Sequence, residues 1–170
     1  MADETPWLTT EQRSDWIALA ALLMSLPAVI DTQLKRDAGL NFFEYTILAG
    51  LSEVANGSIR MSVLAHFASG SLSRLSHAVS RLERQGFVTR SACQADPRAV
   101  EASITPAGLA KIQASAPAHV REVRRAVVDA LTEEEFALLG GLARKVMRAA
   151  CPAALSAMDA DELMRTISPA

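Results

Sequence analysis

Apolar residues recur along most of this chain at the three- and four-residue spacing of α-helices. Several of the apolar segments begin with a cap residue followed three positions later by Glu or Gln, the capping-box pattern. The clearest pairs are Thr9 with Gln12, Asn41 with Glu44, and Thr132 with Glu135. They predict helices that begin near residues 10, 42 and 133. The first ends before Gly39, the second near residue 54, and the last near residue 151.

The middle of the chain predicts a shorter arrangement of helices. Ser62 opens a brief apolar segment that stops at Gly70, and Ser71 is the next cap. The helix predicted over 71–85 has apolar residues on one stripe, and Gly86 lies where a left-handed C-terminal cap is wanted. The members of the stripe are Leu72, Leu75, Ala78, Val79 and Leu82, of which we expect the last four to be buried.

A β-hairpin is predicted directly behind that helix. Two short strands, Phe87–Val88 and Val100–Ile104, flank the polar stretch SACQADPR, in which Asp96-Pro97 favours a turn. Thr105-Pro106 then restarts a helix that could run to about residue 131. Pro27 and Pro117 lie inside predicted helices, and we expect a kink or break at the first and a bend at the second.

Together these elements predict a mainly α fold with a small β-hairpin wing. The short helix, the turn at Ser69-Gly70-Ser71 and the next helix form a helix-turn-helix, and the hairpin makes it a winged one. The long helices on either side predict a helical dimerisation region. We divide the chain into N-terminal dimerisation helices over 1–38, a winged helix-turn-helix over 39–105 and C-terminal dimerisation helices over 106–170, where the tail adds Leu155, Met158, Leu163, Met164 and Ile167.

The region from Ser71 to Arg98 differs in charge from the chain as a whole. The 170 residues carry a net charge of -2, which argues against a uniformly basic coat for nucleic acid. Between Ser71 and Arg98, however, five arginines and two acidic residues give a local charge of +3. The outward side of the 71–85 helix would offer hydroxyls and arginines to a DNA groove. We therefore expect DNA contacts from Ser71, Ser73, Arg74, Ser76, His77, Arg81, Arg84, Arg90, Asp96 and Arg98.

Other classes of protein find less support in the sequence. The two cysteines, Cys93 and Cys151, are too few for a disulfide framework, and the apolar run from Ile17 to Ile30 is shorter than a membrane span of roughly 20 residues. No metal-ligand cluster, phosphate-binding loop or nucleophile elbow is present, so we expect no enzyme, metal or cofactor. We expect a cytoplasmic protein. The alternative function is a winged helix that serves only as a protein-interaction or dimerisation module, without sequence-specific DNA binding.

Residues 39 to about 148 resemble regulators of the multiple-antibiotic-resistance (MarR) family. The family's wing motif places an acid two residues before an arginine, followed by a threonine-glycine helix start, and Asp96, Arg98, Thr105 and Gly108 match it. Five pieces occur in the family's order: GLNFFEYTILAGL, SVLAHFA, RLERQGFVTR, DPRAVEASITPAG and LTEEEFALLGGLARKV.

The resemblance implies a homodimeric regulator, more often a repressor, whose two winged units meet successive major grooves of a palindromic DNA operator. It implies that Arg98 enters the minor groove and that Asp96 orients its guanidinium as an ion-pair partner. It also implies a pocket for a phenolic or other lipophilic effector between the dimer helices and the winged unit. Trp16, Met24, Phe42, Phe43 and Tyr45 are candidates for that pocket, although a plain hydrophobic core explains each of them too.

Overall fold

A computed structural model describes residues 5–54, 56–93, 96 and 98–152 of the chain. In these residues the helices are α1 (Thr10–Ala38), α2 (Phe42–Glu53), α3 (Met61–Phe67), α4 (Leu72–Arg84), α5 (Pro106–Ala126) and α6 (Glu133–Ala150), with one 3₁₀ turn at Val128–Ala130. The strands are β1 (Ser58–Arg60), β2 (Val88–Ala92) and β3 (Val100–Ile104). The predicted fold class, mainly helical with a small hairpin wing, is confirmed.

The helix ends follow the local signals in the sequence. All three capping boxes form; in the first, the Thr9 hydroxyl accepts the backbone N–H of Gln12 at 3.2 Å and the Gln12 side chain accepts that of Thr9 at 3.0 Å. Gly39 and Gly86 both adopt left-handed backbone conformations, with φ of +64° and +77°. The predicted starts and the predicted cap at Gly86 are therefore confirmed.

Neither internal proline ends its helix. Helix α1 is continuous through Pro27 and α5 through Pro117, so the break considered at Pro27 is wrong. Each proline removes one backbone donor, which leaves the carbonyl four residues earlier without its helical partner. Those carbonyls belong to Leu23 and Gln113, which are exposed residues, so water can take the place of the missing donor. The remaining backbone hydrogen bonds keep each of the two helices continuous.

The sheet has a strand that the sequence pattern did not predict. Strand β3 lies in the middle, with β2 antiparallel on one side and β1 antiparallel on the other. Ile59 of β1 is paired with Ala102, and both are buried. A three-residue strand is too short to show alternation, so only its long-range pairing defines it. Strand β2 also begins one residue later and extends further than predicted, from Val88 to Ala92.

The core lies between the C-terminal half of α1, helices α2 to α5 and the sheet. Leu34, Ile47, Leu48, Leu64 and Leu75 are fully buried in it. The N-terminal half of α1 and all of α6 lie outside this core, and α6 has no buried residue. The division into regions at residues 38 and 105 stays a prediction, and the expected contribution of the tail lies outside the described residues.

Helix α1 corrects the expectation drawn from its apolar run. The helix extends on both sides of Ile17–Ile30 to 29 residues, and by length and composition alone it could cross a membrane. One such helix is weak evidence for a membrane span, because core helices of soluble proteins and signal sequences share this length and composition. Only 17% of its most apolar window is buried within this chain, so α1 offers a large apolar surface.

Candidate nucleic-acid interface

Helices α3 and α4 are joined by a tight turn that sets the angle between them. The backbone N–H of Ser69 donates to the His66 carbonyl at 3.0 Å and that of Gly70 to the Ala65 carbonyl at 2.9 Å. Ser69 takes a left-handed conformation with φ of +50°. A Cβ at Gly70 would lie 2.7 Å from the ring of Phe43, so any other residue there would require the ring to move. The predicted helix-turn-helix is present.

Helix α4 buries one side and exposes the other. The Ser71 hydroxyl caps the helix by accepting the Arg74 backbone N–H at 3.2 Å. The buried stripe consists of Leu75, Ala78, Val79 and Leu82. These are the four residues predicted to be buried. Leu72, which shares their helical spacing, is 56% exposed, because it occupies the first helical position, ahead of the part of α4 that the core covers.

The opposite side of α4 carries the polar residues predicted to face DNA. Ser73, Arg74, His77, Arg81 and Arg84 are exposed there, whereas Ser76 is half-buried. Hydroxyls and arginines of this kind can donate to phosphates and to base edges. The face is therefore chemically suited to a DNA groove, as the sequence predicted.

Several of these arginines already have partners within the chain. The guanidinium of Arg74 lies over the ring of Phe43, 4.3 Å from its centroid. Arg81 Nη2 is 2.9 Å from a carboxylate oxygen of Glu44, and Arg84 Nε donates to the carbonyl of Ser80 at 3.3 Å. The sequence pattern predicted Glu44 only as part of a capping box, because its ion-pair partner, Arg81, lies 37 positions away.

A second pair ties the wing to α4. Arg90 of β2 donates from Nε and Nη2 to Glu83, at 3.1 and 2.6 Å, and its backbone N–H donates to the same carboxylate. These hydrogen bonds from Arg90 lower the pKa of Glu83. Arg90, predicted to contact DNA, is thus engaged in holding the hairpin against the helix. Glu83 was not among the predicted site residues.

The structure explains why the wing motif ends with a threonine and a glycine, here Thr105 and Gly108. The Thr105 hydroxyl donates to the Gly86 carbonyl at 2.7 Å and accepts the backbone N–H of Gly108 at 3.0 Å. A Cβ at residue 108 would lie 2.1 Å from the carbonyl oxygen of Phe87, which only glycine avoids. The two residues therefore join the end of α4, the base of the wing and the start of α5.

The tip of the wing departs from the expected geometry. The Asp96 carboxylate accepts the backbone N–H of Arg98 at 3.0 Å, and the Ala99 backbone N–H donates to the Asp96 carbonyl at 2.9 Å. Between these two described residues no contact joins the carboxylate to the guanidinium. Asp96 therefore orders the turn that carries Arg98, and the side chain of Arg98 is exposed.

A cleft of about 1300 Å³ separates α1 from the polar side of α4. Three of the five candidate pocket residues, Met24, Phe42 and Phe43, line it. Trp16 is 54% exposed and Tyr45 is buried against His119, with ring centroids 4.3 Å apart, so neither contributes to the cleft. The basic residues around it are Lys35, Arg74, His77, Arg81 and Arg84.

Burial shifts the pKa values of that aromatic pair. It lowers the pKa of His119 and raises the pKa of Tyr45. His119 Nδ1 is buried without a hydrogen-bond partner among the described residues, which fits a neutral ring. The pair joins α2 to α5 and lies outside the cleft.

Solved structures with the same fold supply the comparison. Sco3205 from Streptomyces coelicolor, a MarR family transcriptional regulator crystallised in complex with DNA, is 40% identical over 86% of this chain and 92% of its own, with a TM-score of 0.82. The chain belongs to the MarR family. AbsC, a MarR family regulator from the same organism, is 33% identical over 86% of this chain and 98% of its own, with a TM-score of 0.80.

More distant structures share the fold alone. BldR from Sulfolobus solfataricus, a transcriptional regulator, is 24% identical over 83% of this chain and 99% of its own, with a TM-score of 0.70. Comparison with protein-family models and with curated proteins gives no match. The resemblance seen in the sequence motifs is confirmed by the two Streptomyces structures, which are regulators rather than enzymes.

Proposed function

We propose that this MarR family protein is a cytoplasmic, homodimeric repressor that binds a palindromic operator through α4 and the wing. The observation that carries the proposal is the exposed face of α4, which offers hydroxyls and arginines beside a hairpin tipped by Arg98. A recognition helix must bury one face and offer the other to the major groove. The crystal structure of the 40% identical Sco3205 in complex with DNA supports DNA binding here.

A homodimer would account for the palindromic form of the proposed operator. One chain offers one recognition helix, and a two-fold axis would place two of them on half-sites one helical turn apart. The exposed apolar residues of α1 and α6, among them Leu23, Leu138 and Val146, supply a surface for such an axis. Repression would follow from occupation of a promoter, as the family resemblance implies.

Selection of DNA from a random pool by the purified protein tests the proposal. We expect an inverted repeat whose half-sites lie about ten base pairs apart, bound at least a thousandfold more tightly than random DNA. Enrichment of no sequence, or binding that does not depend on sequence at any salt concentration, would contradict it. The chain would then act as a protein-interaction module.

The cleft supports control by a small effector. Met24, Phe42 and Phe43 give it an apolar wall, and Arg74 and Arg81 give it a basic one. An aromatic or lipophilic anion would place its ring against the first wall and its charge toward the second. Because both arginines belong to α4, the ligand would favour positions of the recognition helices that do not match the operator spacing.

Calorimetry with phenolic acids, antibiotics and metabolites tests effector control. We expect one class to bind and to lower operator affinity, and Phe42→Ala to weaken that ligand about tenfold or more, since it removes a ring from the wall. Leu109→Ala, which removes a comparably exposed apolar side chain outside the cleft, is the matched control. If no compound couples to DNA affinity, ligand control is wrong while operator binding stands.

A further inference from the structure

Glu44 is a buried carboxylate at the start of α2, beneath the recognition helix. Its side chain is 7% exposed, and one oxygen accepts the backbone N–H of Asn41 at 2.9 Å. Its other oxygen lies 2.9 Å from Arg81 Nη2 of α4. A buried charge is tolerated when both of its oxygens have partners. The capping group of one helix thus also holds a guanidinium of another.

Pairing with Glu44 changes what Arg81 can offer to DNA. A guanidinium that turned toward a phosphate would leave the carboxylate buried and unpaired, which costs far more than loss of a surface ion pair. Arg84, one turn further along α4, differs from Arg81 in this respect. It donates only to the carbonyl of Ser80 in its own helix and has no carboxylate partner among the described residues. Arg84 therefore keeps a charge available for a phosphate.

A second contact lies two helical turns before the first. The Arg74 guanidinium rests 4.3 Å from the centroid of the Phe43 ring, next to Glu44 in the sequence. Residues seven positions apart on a helix share a face. Helix α4 is therefore attached at two points to two consecutive residues of α2. Together with the buried stripe of Leu75, Ala78, Val79 and Leu82, these two attachments define the rotation of α4 about its axis.

We propose that Glu44 is a positioning residue for DNA recognition and that Arg81 is its internal partner rather than a phosphate contact. The pair sets the rotation of α4, and with it the direction in which Ser73 and His77 meet the bases. This inference rests on the proposed function, because it concerns how the same helix meets the operator. Arg81 and Phe43 also line the cleft, so any ligand there contacts the attachment itself.

Operator binding measured over a series of salt concentrations tests the inference. The full-length wild type, Glu44→Gln, Arg81→Ala, the double variant and Arg84→Ala are titrated against the selected operator by fluorescence anisotropy. We expect each of the first two substitutions to weaken binding by a similar factor, roughly three- to thirtyfold, and the double variant to be no weaker than either, since both remove one shared interaction. The dependence of log K on log salt should stay at the wild-type slope for these three variants.

Arg84→Ala is the matched control for a free cation. It should make the salt slope shallower by about one ion per subunit, because one phosphate neutralisation is lost. If Arg81→Ala changes the slope in the same way while Glu44→Gln leaves affinity intact or raises it, Arg81 contacts phosphate and the inference is wrong.

Thermal unfolding of the same variants separates positioning from stability. If the paired substitutions lower the Tm but leave operator affinity unchanged, the pair only stabilises the fold, and the inference is again wrong. Should Glu44→Gln or Arg81→Ala fail to fold, the salt slope of the double variant decides, because that variant removes both charges and leaves no buried carboxylate without a partner. If the wild type itself selects no operator, the proposed function fails first, and that result is distinct from every variant pattern.

Discussion

Arg98 is the residue on which the role of the wing depends. Its backbone N–H is held by Asp96, while its side chain is exposed at the tip of the hairpin. If the tip enters a minor groove, Arg98→Ala should weaken operator binding by about 1–3 kcal/mol. The salt slope should also become shallower by about one ion per subunit. Titration at two salt concentrations measures both quantities.

Asp96→Ala is the companion variant for that measurement. Because Asp96 orders the backbone of the turn and does not touch the guanidinium, its loss should weaken binding less than loss of Arg98 and leave the salt slope unchanged. Unaltered affinity for Arg98→Ala at both salt concentrations would mean that the hairpin is a connector only.

His119 predicts a pH dependence of stability. Burial lowers its pKa in the folded chain below the ordinary value of 6.5. Below about pH 6.5 the unfolded chain therefore binds a proton at His119 that the folded chain does not. The free energy of unfolding is therefore unaffected by His119 above that pH and decreases as the pH falls toward the pKa of His119 in the folded chain. We expect the Tm to fall between pH 7.5 and pH 5. His119→Phe, which keeps a ring against Tyr45, should flatten that fall.

Two ion-paired carboxylates titrate below the pH window of the His119 measurement. Hydrogen bonds from Arg90 lower the pKa of Glu83, and those from Arg36 lower the pKa of Asp37 to about 2, so both groups titrate below the window used. His77, which is exposed on α4, provides the control substitution His77→Phe. An identical fall in Tm for the wild type and His119→Phe would exclude His119 as its source.

At the level of the elements, the sequence predicted what local chemistry determines. Thr9, Asn41 and Thr132 cap helices because each hydroxyl or amide needs only a backbone N–H three residues away. Strand β1 escaped prediction because its partner residues lie more than 40 positions away. The ion pairs of Arg81 with Glu44, 37 positions away, and of Arg90 with Glu83, seven positions away, escaped because each joins two different elements, and no spacing within one helix or strand records such a pair.

Leu72 and Leu75 test how far periodicity can be trusted at the end of an element. Both fit the apolar stripe of α4, but Leu75 is fully buried and Leu72 is 56% exposed. We expect Leu75→Ala to lower the free energy of unfolding by about 2–5 kcal/mol, because it leaves a cavity in the core. Leu72→Ala should change it by less than about 0.5 kcal/mol. Urea denaturation of both variants gives the comparison; equal losses would place Leu72 in the core after all.

The chain buries the apolar residues of some helices and leaves those of others exposed. The core takes in the C-terminal half of α1 and helices α2 to α5, while Trp16, Leu23, Met24, Leu138 and Val146 lie exposed on α1 and α6. Exposed apolar surface of this extent is typical of a protein interface. In the proposed dimer, the membrane-like composition of α1 would follow because a helix that packs against a second chain needs apolar residues on faces that its own chain leaves open.

The last prediction follows from that surface. Light scattering at micromolar concentration should give twice the 18.2 kDa mass of one chain. Leu138→Asp and Leu142→Asp, each placing a charge on α6, should shift the protein toward monomer, because an unpaired carboxylate in an apolar interface costs several kcal/mol. Val100→Asp, at an exposed apolar position in the wing, should leave the mass at the dimer value. A well-folded wild-type monomer would refute the dimer and require another partner for α1 and α6. If the variants are monomeric and folded, their operator affinity should fall sharply, since one recognition helix alone reaches only one half-site.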